Sequence, residues 1–162
     1  MKQFFLNKKT FIVCCMLVWP GVAAAAQSLE NLPGQEDAQK DILIKDASFA
    51  LVGNPPAGVI YFTIQNTGDA AHLVTNVTSP ACARLIGHHS DQESTPGTIN
   101  LFHNLSLPAH SSLVFPVGGY HLVCLDMPEK FLSAQNISLT FSFLGGSSKT
   151  IVAPVAKSAA SQ

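Results

Sequence analysis

Ile137, Leu139, Phe141 and Phe143 alternate without a break with Ser138, Thr140 and Ser142. A period of two places successive side chains on opposite faces of an extended backbone, so this segment reads as a strand with one face in a core and the other in water. The same pattern recurs along the chain. The run 59–65 is more apolar, with Ile60, Phe62 and Ile64 as its inner face. Further strand candidates are 42–49, 73–78, 83–88, 98–102, 112–115, 121–125 and 149–152. Turn signals separate them: Asn54-Pro55-Pro56, Asn66-Thr67-Gly68-Asp69, Thr95-Pro96-Gly97, Leu107-Pro108, Val117-Gly118-Gly119 and Gly145-Gly146. No helical stripe persists for more than two turns; 51–58 reads as a loop, and 128–134 as holding one helical turn. Many short strands at this spacing predict one all-β domain, an antiparallel sandwich or barrel of roughly seven to nine strands.

The ends of the chain follow other rules. Lys2, Lys8 and Lys9 precede an apolar run at 11–18, Pro20-Gly21 breaks it, and Ala24-Ala25-Ala26 supplies small residues. That order is a cleavable export signal over 1–26, with Gln27 as the new N-terminus. The apolar run is too short to span a bilayer. Val13 and Cys14, which precede Cys14 and Cys15, are not the small residue that a lipid-modified cysteine needs before it. Residues 27–39, with Pro33-Gly34, read as a flexible leader, 40–155 as the β-sandwich domain, and 156–162 as a disordered tail. The Ala- and Ser-rich composition that suggests fraying begins at Ala153.

Removing the signal leaves 136 of the 162 residues, enough for a domain with a real core. It also removes three of the nine basic residues against ten acidic ones, for a net charge of −4 with His neutral. A chain without a basic footprint is not expected to bind nucleic acid, and it offers little to an anionic membrane surface. Cys82 and Cys124 are the two cysteines left. In an exported protein such a pair reads first as a disulfide, with free buried thiols or a metal role as the alternatives. The sequence contains no Gly-x-Ser-x-Gly elbow, no His-Glu-x-x-His and no Gly-rich phosphate loop. It gives no positive sign of an enzyme.

The order of landmarks resembles a known family. Asp46-Ala47 is followed by the run from Ala57 to Asp69, which contains Tyr61-Phe62-Thr63-Ile64-Gln65-Asn66-Thr67-Gly68. Then come Leu73-Val74, Ser79-Pro80, Ala83-Arg84-Leu85, His88, Leu107-Pro108 and Gly118-Gly119-Tyr120-His121-Leu122. Over roughly 42–152 this set is similar to the PCu(A)C family of periplasmic copper chaperones. The resemblance implies a cupredoxin-like β-sandwich, a periplasmic location, and copper handed on by ligand exchange to an acceptor such as an oxidase assembly factor.

The family's metal motif is a His, a Met about ten residues later, and a His-x-Met pair after the Gly-Gly turn. Thioether sulfur suits copper(I), and imidazole completes a low-coordinate site. Here His88 and His121 match the two histidines, while Ser90, Val123 and the neighbourhood of Ile99 stand where thioethers would be. His88 and His121 are therefore the expected ligands. His89 joins them only if it lies in a loop, and His103 is a candidate nitrogen in place of the middle Met. Asp91 and Glu93 read as a solvated loop, and His72 and His110 as surface residues beside strand ends. If His121 lies on a strand, Val123 shares its face and Cys124 points the other way, toward the core. A nitrogen-only set suits copper(II) or zinc better than copper(I). The competing expectation is a fold of this kind that has lost its metal and acts as an interaction module.

Overall fold

The computed structural model describes residues 35–156; the export signal expected over 1–26, most of the expected leader and the expected tail beyond Ala156 lie outside the described residues. The described residues form nine strands: β1 (Ile42–Val52), β2 (Ala57–Asn66), β3 (His72–Thr78), β4 (Arg84–His89), β5 (Leu105–Leu107), β6 (Ser112–Phe115), β7 (Tyr120–Leu125), β8 (Asn136–Phe143) and β9 (Ser148–Ala156). They run in the order β4-β7-β2-β1-β9-β8-β3-β5, with β6 also on β2. The sheet curls on itself into a cupredoxin-like sandwich. All pairings are antiparallel except β1 with β9, which is parallel at Phe49–Val155 and Ala50–Ala156. Among the described residues no helix is long and apolar enough to cross a membrane.

The alternation seen in the sequence is the alternation of burial. In β8, Ile137, Leu139, Phe141 and Phe143 are each no more than 2% exposed and share one core with Ile60, Phe62 and Ile64 of β2. Phe62 joins the halves: its ring centroid lies 4.8 Å from Phe115, 5.3 Å from Phe141 and 5.9 Å from Phe102. Burying a side chain of this size stabilises a fold by about 1.5–3 kcal/mol, and well-placed aromatic pairs add about 0.5–1.5 kcal/mol.

The segment 98–102, expected to be a strand, is instead a short helix, α2 (Pro96–Ile99), followed by a 3-10 turn at Leu101–His103. Thr95 caps the helix by accepting from the Thr98 amide at 3.2 Å, and Pro96 stands in its first turn. That combination starts a helix as readily as it makes a turn. The folded unit also reaches past the expected N-terminal boundary, and at the other end it includes the residues whose composition suggested fraying. Ala38, placed in the flexible leader, is fully buried in α1 (Ala38–Asp41), and Lys149 donates to the carbonyls of Gln39 and Ile42 beside it. Ala153 is fully buried within β9 rather than in a frayed end. The loop expected over 51–58 narrows to 53–56, because β1 continues to Val52 and β2 starts at Ala57.

Asn66-Thr67-Gly68 forms a knot at one end of the sandwich. The Asn66 amide is fully buried and donates to the carbonyls of Ala70 (2.7 Å), Leu107 (3.0 Å) and Pro108 (3.1 Å), while its oxygen accepts from the Gly68 amide. Glycine at 68 leaves room for the Asp41 carboxylate, which a Cβ there would meet at 2.3 Å and displace. That carboxylate also takes Nε2 of His72 at 2.8 Å, and the other ring nitrogen faces Gln35 at 3.4 Å. His72, expected at the surface, is thus 3% exposed and paired on both sides, because the segment before β1 folds over it. His110 is exposed, as expected, and meets Asp69 at 2.9 Å.

Candidate metal site

The candidate site is built by β4 and β7. Their register runs from Arg84–Leu125 to His89–Tyr120 and sets His88 directly opposite His121. Directly opposed residues of an antiparallel pair share a face. The two ring centroids are 5.2 Å apart, with planes tilted by 57°. Gly87 holds β4 close to α2, where a Cβ would meet the Thr98 carbonyl oxygen at 2.2 Å.

Strand parity divides β7 as its sequence implies. Leu122 and Cys124 are at most 1% exposed and face the core. His121 and Val123 face the other way. On that outer face Val123 pairs with Val59 and Ile86, so aliphatic side chains occupy the level where a thioether would stand. Cys124 bonds Cys82 in a disulfide with a Cα separation of 5.2 Å. The bridge ties the segment entering β4 to β7 beneath the histidine pair. By loop-closure entropy, a link across 42 residues of sequence is worth about 4 kcal/mol.

The hydrogen bonds of the two imidazoles decide what they can do. His121 is 5% exposed, and its Nδ1 lies 2.9 Å from the Gly119 carbonyl, so Nδ1–H donates and Nε2 keeps its lone pair. A backbone carbonyl on the remote nitrogen is a usual partner of a metal-binding His. His88 presents the complementary feature: its Nδ1 is buried and has no hydrogen-bond partner. A native fold rarely leaves such an atom unsatisfied without a use for it. Imidazole nitrogen of this kind is a borderline donor.

The other candidates do not join them. Both His88 and His89 lie in the regular strand β4, so they face opposite ways. His89 accepts from the Asp91 amide at 3.2 Å and meets Tyr120 edge-on at 4.5 Å. His103 is exposed in the 3-10 turn and lines a separate groove with residues 76–79 and 82–86. Asp91 and Glu93 are exposed. Among the described residues, no group of three or more His, Cys, Asp or Glu side chains converges as a metal site. The geometry adds Tyr61, whose ring centroid is 5.4 Å from that of His121. Strand parity was the signal for it: the β2–β7 register, continued one residue past Ile60–Leu122, brings Tyr61 level with His121.

Comparison with known proteins supports the fold. The chain covers 71% of its length on a copper-bound PCuAC domain from PmoF2, and 92% of that domain, with 19% identity and a TM-score of 0.56. The corresponding figures for the apo PCuAC domain from PmoF1 are 72%, 93%, 15% and 0.57. Those for the solution structure of CuI-DR1885 from Deinococcus radiodurans are 74%, 83%, 14% and 0.51. A protein of Leifsonia xyli subsp. xyli (strain CTCB07) named "Putative lipoprotein Lxx21020" is 23% identical over 151 residues, which are 93% of this chain and 89% of that one. The model of the LpqE-like family matches residues 42–155, the whole β-sandwich from β1 into β9, and the chain belongs to that family.

Proposed function

We propose that this protein binds copper through His88 and His121 outside the cytoplasm and passes it, without catalysis, to an acceptor by ligand exchange. The observation that carries this reading is the cross-strand pair itself. One imidazole has its remote nitrogen tied to a backbone carbonyl, and the other has a buried nitrogen with no protein partner. The structural kinship with a copper-bound PCuAC domain supports the choice of ion. Two protein donors leave coordination positions open, as exchange with an acceptor requires. An oxidase assembly factor in the periplasm is the acceptor this reading favours. Export is supported by the charged, apolar and small-residue order of the first 26 residues and by the lipoprotein name of the Leifsonia relative.

With nitrogen in place of sulfur, copper(II) or zinc competes better with copper(I) here than in a thioether-rich site. Competition titrations of the mature protein with copper(I), copper(II) and zinc test this. Changing both His88 and His121 to Ala is expected to remove measurable binding, and His110→Ala to leave it intact. A double variant with wild-type stoichiometry and affinity would refute the ligand assignment. A second reading, a metal-free interaction module, draws on Val123 paired with Val59 and Ile86 and on the lack, among the described residues, of a third His, Cys, Asp or Glu beside the pair. It wins if the wild-type protein binds none of the three ions above nonspecific levels.

A further inference from the structure

His121 sits between two rings. Tyr61 lies on one neighbouring strand and His88 on the other, with centroids at 5.4 and 5.2 Å and plane tilts of 53° and 57°. All three stand at one level across β2, β7 and β4, on the face away from the core. The Gly119 carbonyl holds Nδ1–H of His121, but a single hydrogen bond does not lock a ring. A half-turn about the Cβ–Cγ bond would put a carbon where Nδ1 now lies and move the lone-pair nitrogen. Flanking rings raise the barrier to that turn, while the Gly119 carbonyl selects which of the two orientations is favoured.

We propose that Tyr61 is a positioning residue for His121: its ring and the Gly119 carbonyl together hold the imidazole in the one orientation and tautomer that keep Nε2 as a free acceptor beside His88. The inference rests on the metal-binding reading for its purpose, although its structural half stands without metal. Rotamers locked by packing keep a binding constellation within the narrow tolerance that affinity requires. The ring acts here and the hydroxyl does not, so Tyr61→Phe should behave as wild type and Tyr61→Leu should not.

The test has two readouts. In the metal-free mature protein, long-range proton–nitrogen NMR of the imidazoles should show His121 as the Nδ1–H tautomer in wild type and Tyr61→Phe. In Tyr61→Leu, averaged nitrogen shifts are expected. Copper titration should show a loss of about tenfold or more in affinity for Tyr61→Leu, the scale of lost outer-shell support at metal sites, and full rescue in Tyr61→Phe. Thermal melting of each variant confirms that it is folded. The proposal fails if Tyr61→Leu keeps both the wild-type tautomer and the wild-type affinity. It also fails if Tyr61→Phe loses as much affinity as Tyr61→Leu and wild-type copper(II) protein absorbs as a phenolate complex, since Tyr61 would then be a ligand. If no variant, wild type included, binds metal, the function proposed above falls, while the metal-free NMR comparison still decides the positioning role.

Discussion

Two histidine-containing regions of this sandwich use the same side chain in opposite ways. At the Asn66 end, His72 is buried and each ring nitrogen faces a side-chain oxygen, Asp41 on one side and Gln35 on the other. Asn66 beside it gives its amide to three carbonyls. At the β4–β7 end, His121 is as well buried but has one nitrogen left over, and His88 keeps a buried nitrogen with no partner. The difference is between a histidine whose two ring nitrogens both have partners within the protein and a pair of histidines that each keep a nitrogen without one. Satisfied polar groups hold a fold together, whereas unsatisfied ones cost stability and are retained where they serve binding.

Substitutions can break that contrast. The largest effect on folding is expected from Asn66→Ala, which strands buried carbonyls at the knot and should cost about 3 kcal/mol in denaturant unfolding. A loss below about 1 kcal/mol would mean that water replaces the amide and that the knot is not structural. His72→Leu should cost about 2 kcal/mol by the same measurement and leave copper affinity unchanged. His88→Leu should do the reverse: unfolding free energy within about 0.5 kcal/mol of wild type, or higher, with copper binding lost. If His88→Leu destabilises the metal-free protein as much as His72→Leu does, the orphan nitrogen has a structural partner and the contrast collapses.

Much of this was legible in the sequence. Period-two alternation is a local property, so β8 and the inner face of β2 could be read directly. Strand parity placed Cys124 in the core and Val123 beside His121 before any geometry was known. What was not legible depends on distant partners. The burial of His72 follows from Asp41 and Gln35, 31 and 37 residues away. The segment 98–102 was misread because a Thr-Pro pair serves a turn and a helix cap alike, and β5 is only three residues long. That His88 faces His121, while His89 turns away, is a matter of register between strands, which the sequence alone leaves undetermined.

The parallel contact of β1 with β9 bears on how the molecule comes together. The first and last strands are the ones that join the two halves of the curled sheet, through Phe49–Val155 and Ala50–Ala156. Contacts between such distant parts of a chain form slowly, because the entropy of closing so long a loop is lost before the contact repays it. Until β9 arrives, β1 and β8 each keep an edge of unpaired backbone, the kind of edge that recruits strands from other molecules. Closure of the sandwich therefore waits for β9, and a chain lacking β9 would be left with edges able to assemble with one another.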